Sequence, residues 1–158
     1  GEKYSVFDVM RLCGWPAEQV PQNVGGYKLD TETGSLPIFI KYEASQYGDR
    51  FLNPGEIEWF SKNNRSLKSN EFRWLLDGTE RTPEWQNRHF VPIFIRRKAE
   101  EQEKSYYFVG SAVALDDVRA SVNPGEDGSE SKVVISTLKL IKPVDPELYR
   151  HLTGKSAL

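Results

Sequence analysis

Four runs rich in Ile, Val and aromatic residues constrain this chain more than any other feature: LPIFIKYE (36–43), FVPIFIRRK (90–98), YYFVGSAVAL (106–115) and KVVISTLKL (132–140). Each has the length and the β-branched or aromatic content of a strand. No long helical periodicity lies between them, so a doubly wound parallel sheet is not expected. The expected fold class is α+β: a small, curved, mostly antiparallel β-sheet or partly closed barrel with short flanking helices. The charged turn 100–104 predicts an antiparallel hairpin between the second and third runs. Gly110 inside the third predicts a bulge or a close backbone approach. LPIFIK and VPIFIR look alike, but their surroundings do not, so no internal repeat is assigned.

The helical signals are brief. Ser5 can cap a helix through Leu12, with Val6, Val9, Met10 and Cys13 at helical spacing and Gly14 ending it. Asn53-Pro54 predicts a short helix carrying Ile57, Trp59 and Phe60. Residues 61–69 form a polar loop, and Ser69-Asn70-Glu71 opens another short helix through Leu76. Residues 17–35 are an ordered loop or short strand, 77–89 a loop, and 116–131 an acidic, Ser- and Gly-rich mobile segment. Asp145-Pro146 caps a final helix whose Leu148, Tyr149 and Leu152 pack inward.

At 158 residues the chain is one ordinary domain, 1–158, long enough to bury a core. Hydrophobic residues at 38 % and charged ones at 28 % exclude a disordered chain. The net charge of −2 argues against a large nonspecific DNA-binding face but leaves room for a locally basic patch. Cys13 stands alone, so neither an intramolecular disulfide nor a paired-cysteine metal site can form. It reads as a small buried hydrophobe in a cytoplasmic protein. No apolar run reaches the roughly 18 residues of a membrane span, and no membrane partner is expected. The start Gly1-Glu2-Lys3 predicts a piece of a longer chain.

Catalysis finds little support. The two histidines, His89 and His151, stand in a loop and in the terminal helix, and no hydrolase, zinc-protease, P-loop or dinucleotide motif occurs. No catalytic residue, metal or cofactor is expected. Binding finds more. SKNNRSLKSN (61–70) holds Lys62, Arg65 and Lys68 with no acidic residue among them. Ser61, Asn64, Ser66 and Ser69 add hydrogen-bonding groups, and Arg73 lies just beyond. Such a mixture suits phosphate and sugar contacts, and equally a solvated loop beside the core. A second basic cluster is Arg96-Arg97-Lys98, where strand alternation separates Arg97 from the other two.

Taken together, VFDVMRLCGW (6–15), NVGGYK (23–28), LPIFIKYE (36–43), DRFLNPGEIEWFSKNNRSLKS (49–69), VPIFIRRK (91–98), YYFVG (106–110) and KLIKPVDPELYRHLT (139–153) cover nearly the whole chain in order. They resemble the C-terminal domain of bacterial superfamily II helicases that also carry a phospholipase-D-like nuclease, among them type IV restriction enzymes that cut DNA containing modified cytosine. The resemblance implies a target-recognition domain with a PUA-like or SET-and-RING-associated barrel. The nuclease and helicase domains would sit N-terminal to it as partners in the parent chain. It also implies double-stranded DNA as ligand, with 5-methylcytosine rotated out of the duplex. Ser61, Lys62, Asn64, Arg65, Ser66, Lys68, Ser69, Arg73 and Arg96 would then hold the DNA backbone. The base pocket would come from Tyr27, Tyr42, Phe51, Trp59 and Tyr107, with Asp49 accepting from the cytosine N4 amine. Burying a methyl group supplies only about 0.8 kcal/mol, so discrimination needs a close-fitting niche. Two other readings stay open: a protein–protein module coupling motor to nuclease, and an RNA-binding PUA-like domain.

Overall fold

A computed structural model describes residues 2–16, 26–43, 48–78, 82–100, 104–124 and 128–155. Seven strands form one mixed sheet: β1 (Lys3–Ser5), β2 (Ile38–Tyr42), β3 (Arg50–Asn53), β4 (Glu56–Phe60), β5 (Pro92–Arg97), β6 (Ser105–Pro124) and β7 (Glu130–Leu140). Their order is β2-β5-β6-β7-β4-β3, with β1 paired to the start of β6. Among the strands of the described residues, β2 and β5 run parallel and the other strand pairs are antiparallel. The sheet curls into a half-barrel with few short helices, as the α+β expectation required. The helices are α1 (Val6–Leu12), α2 (Asn70–Leu75), α3 (Pro83–Arg88) and α4 (Pro146–Thr153). None is long and apolar enough to cross a membrane among the described residues.

Strand alternation divides the interior in two. Ile38, Ile40 and Tyr42 of β2, with Ile93 and Ile95 of β5, face the main core, where they meet Trp59, Phe72, Trp85, Leu138 and Tyr149. Phe39 and Phe94 point the other way, toward Val9 and Met10 of α1 and Trp15. The two look-alike runs therefore lie side by side in register, Ile38 on Ile93, Phe39 on Phe94 and Ile40 on Ile95. Their phenyl rings stack at 5.3 Å. Helix α1 starts as its sequence signals: Ser5 Oγ accepts from the Asp8 N–H, and Asp8 accepts from the Ser5 N–H. Asp145 accepts from the Leu148 N–H and starts α4, which buries Tyr149 and Leu152.

Three expectations are corrected. Residues 53–60, expected to hold a helix, are the turn and second strand of a hairpin of β3 with β4. Asn53 Oδ1 accepts from the Gly55 N–H and so caps a turn, while 56–60 alternate half-buried and buried along β4. Apolar Ile57 and Trp59 two apart carry a strand period, and β7 supplies the hydrogen bonds. Within 77–89, Thr82 accepts from the Trp85 N–H and Pro83 occupies the first turn, forming α3. The segment 116–131 is largely strand: β6 runs to Pro124 and β7 begins at Glu130. Two bulges, between Ala112 and Ala114 and between Asp116 and Arg119, let one 20-residue strand follow the curl. Gly110 matches its expectation. Its φ of +136° sits at the β5–β6 register shift, and an added Cβ would touch Leu140 at 3.7 Å. Part of the expected 17–35 loop lies outside the described residues; in the remainder, Asp30 and Ser35 exchange backbone hydrogen bonds around a tight turn.

Candidate nucleic-acid interface

The basic loop leaves the end of β4 and is fastened along its length. Ser61 N–H donates to Val134 O at 2.9 Å, and Ser61 Oγ accepts from the Val134 N–H at 2.8 Å. Lys62 N–H donates to the Tyr27 hydroxyl at 3.0 Å, and Arg65 N–H donates to Lys132 O at 3.2 Å. Ser69 Oγ accepts from the Ser66 N–H and Ser66 Oγ from the Lys68 N–H, closing the last turn before α2. Asn64 holds a φ of +62°, a left-handed conformation that Asn tolerates better than most side chains. The backbone is thus ordered before any ligand arrives.

That loop and α2 form one wall of an open cleft of about 1070 Å³; segment 27–32 forms the other. Lys62, Asn64, Arg65, Ser69 and Arg73 all line it, so six of the expected residues converge here once Tyr27 is counted. A buried carboxylate organises the wall. Glu71 Oε2 accepts from the Tyr27 hydroxyl at 2.8 Å and from Arg65 Nε at 3.0 Å. Burial pushes the Tyr27 phenol up, and the Glu71 carboxylate raises it further. The hydrogen bond that Arg65 donates to Glu71 holds its guanidinium more firmly charged. Lys62 Nζ lies 4.7 Å from the centroid of the Tyr27 ring, and burial followed by the nearby Arg65 charge lowers its ammonium. Asp30 and Glu32 face these cations across the cleft.

A smaller cavity of about 230 Å³ opens where the same loop begins. Asp49, Phe60, Ser61, Lys41 and Asn123 are among its walls. Asp49 is half-buried and its Oδ1 accepts from the Phe60 N–H at 2.7 Å. Burial pushes its carboxyl up to about 6; the Phe60 hydrogen bond opposes this and Glu58 adds to it. Phe60, Ser61 and Lys62 are consecutive, so one short segment separates the two cavities.

Other expected residues lie elsewhere. Tyr42, Phe51 and Trp59 are buried in the main core, in place of the pocket walls expected: Tyr42 meets Phe51, Phe51 meets Tyr149, and Trp59 meets Tyr27 and Phe72. Tyr27 is itself buried, with its hydroxyl in the cleft network and Lys62 over its ring. Tyr107 is half-buried between Lys3 and His151. Ser61 is buried and occupied by Val134, and Arg96 is buried with its guanidinium over Tyr106 at 4.7 Å. Neither takes the solvent-facing position expected of a backbone contact. Ser66 and Lys68 are exposed on the loop. Lys132, exposed beside Arg65, is not signalled by the sequence pattern, because it is far from the loop along the chain and is brought there by the pairing of β4 with β7. Lys28 and Trp74 also join the cleft unforeseen. No group of three or more His, Cys, Asp or Glu side chains is placed to hold a metal ion among the described residues.

The fold is similar to that of a solved chain described as the sulfur binding domain and SRA domain of ScoMcrA complexed with phosphorothioated DNA, with a TM-score of 0.50 and 15 % identity. The match covers all of this chain and 46 % of that one, so the chain spans less than half the length of the solved chain. The chain belongs to the family described as Domain of unknown function (DUF3427), whose profile matches residues 1–152. No curated protein matches.

Proposed function

We propose that this chain binds double-stranded DNA and reads a modified base, 5-methylcytosine first among the candidates, as the specificity domain of a modification-dependent restriction enzyme. One observation carries the reading: a prefastened basic loop stands between a cation-lined cleft and a small cavity holding Asp49 and Phe60. Lys62, Arg65, Lys68, Arg73 and Lys132 hold phosphates, and the ordered loop sets the register. A base rotated out of the duplex enters the smaller cavity, where Phe60 offers an aromatic face and Asp49 accepts from the N4 amine. The similarity in fold to a chain solved with phosphorothioated DNA supports a reader of altered DNA. Motor and nuclease domains of a parent chain would act on the DNA so marked.

Binding of the chain to matched duplexes carrying cytosine, 5-methylcytosine or a phosphorothioate linkage, at two salt concentrations, tests this. Tighter binding to the methylated duplex, lost in Asp49→Ala, is the expected result. Equal affinity for all three duplexes defeats modification sensing, and no binding to any defeats the DNA reading. A protein-coupling role has its own support: Leu12, Phe90 and Phe108 are exposed around an apolar groove of about 250 Å³ that uses none of the cleft residues.

A further inference from the structure

The Arg65 guanidinium lines the cleft, and what holds it there is an acid. Glu71 sits in the first turn of α2 and is 7 % exposed. An unpaired carboxylate at such a place is costly, and its retention needs partners. Among the described residues it has two, through a single oxygen: the Tyr27 hydroxyl and Arg65 Nε. The Tyr27 hydroxyl in turn accepts from the Lys62 N–H, so Glu71 fixes both ends of the segment from 62 to 65. Because Arg65 meets Glu71 through Nε, the two terminal nitrogens are directed elsewhere. Nη1 reaches back to Asn63 O at a long 3.3 Å, and the group lines the open cleft. A guanidinium clamped at Nε and open at its outer edge is preorganised for the forked geometry of a phosphate.

We infer that Glu71 is a positioning residue for nucleic-acid binding, acting through Arg65 and Tyr27 to present a fixed guanidinium edge to a DNA phosphate. This rests on the proposed DNA-binding reading. It makes a prediction opposite in sign to simple electrostatics. Glu71 carries negative charge beside a polyanion's binding site, so neutralising it removes a repulsion and would by that alone tighten binding. Positioning requires the reverse: Glu71→Gln releases the Arg65 fork, and affinity falls.

The test measures duplex affinity and its salt dependence for the whole chain and for Glu71→Gln, Arg65→Ala and the double variant. Proton exchange and ¹⁵N relaxation of the Arg65 Nε–H are followed without DNA. The expected result is a loss on the order of tenfold for Glu71→Gln. The slope of log affinity against log salt should fall by roughly one for Arg65→Ala, and the double variant should bind no worse than that single one. The Arg65 Nε–H should be slow to exchange in the parent and fast in Glu71→Gln. Tighter binding by Glu71→Gln, or losses that add in the double variant, would overturn the inference. An unaltered Nε–H signal would overturn it without reference to DNA. Unchanged affinity and slope in Arg65→Ala would instead remove the loop from the interface, and the inference with it. Should Glu71→Gln fold poorly, Tyr27→Phe keeps the acid and removes one of its two anchors. A smaller loss of affinity with a partly mobile Arg65 is then expected, and unchanged affinity with a still rigid Arg65 counts against the inference.

Discussion

Replacing Asp49 by Asn should make the protein more stable at pH 8 and nearly indifferent to the change at pH 4.5. The carboxyl is pushed up to about 6 in the folded chain, chiefly by burial, whereas an Asp in an unfolded chain titrates near 3.9. Between those values the folded state holds a proton that the unfolded state has lost, so stability rises as pH falls from about 6 to about 4. Above pH 6 the folded state carries an ionised group where ionisation is disfavoured. A shift of roughly two units corresponds to about 3 kcal/mol. Asp49 is half-buried, so solvent relieves part of that, and about 1–2 kcal/mol is the expected penalty at pH 8. Asn keeps the oxygen that accepts from the Phe60 N–H at 2.7 Å and cannot ionise. Urea unfolding of both proteins at several pH values between 4.5 and 8 checks this, because the difference between the curves isolates one group. A constant difference across that range, or an Asp49→Asn protein less stable at pH 8, would refute the assignment of an uncompensated carboxylate to this cavity.

Lys132→Ala should weaken binding to methylated and unmethylated duplexes alike and lower the salt slope by roughly one, measured by fluorescence anisotropy at several salt concentrations. Gly34→Ala should cost about 1–3 kcal/mol in urea unfolding, since φ is +65° and the new Cβ would stand 2.9 Å from Arg88 O. Ser61→Ala leaves the Val134 N–H without its side-chain acceptor in a buried strand and should cost about 1–3 kcal/mol by the same measurement.

Apolar, β-branched composition revealed the strands that are buried along most of their length, and residues suited to a helix start revealed α1, α2 and α4. They failed where two signals conflicted. Asn53-Pro54 is a sound helix start, yet Ile57 and Trp59 alternate with Glu56 and Glu58, and pairing with β7 decides in favour of a strand. The second half of β6 looked like a loop because Asp116, Asp117 and Arg119 dominate it; its strand period emerges only once bulges are allowed. The basic loop was legible because it is contiguous. The cleft opposite it was not, because Tyr27 and Glu71 meet across 44 residues and an aromatic that packs looks the same in one dimension as one that stacks on a base. Asp49 was legible as an acid of interest, while the cavity around it depends on Lys41 and Asn123, brought there by two other strands.

The order of the strands has a consequence for how the chain is made. Both edges of the sheet, β2 on one side and β3 with β4 on the other, come from the first 60 residues, and the centre, β5-β6-β7, comes from the last 70. A chain emerging from the ribosome therefore exposes two sets of apolar strand with nothing to pair against until the later half appears. Formation of β6 with β7 is local and sets the template; the earlier strands then close on either flank across long loops, which makes assembly slow. In that interval the runs at 36–43 and 56–60 are the segments most open to pairing with another molecule, and products cut short before β5 should aggregate where a chain carrying all seven strands does not.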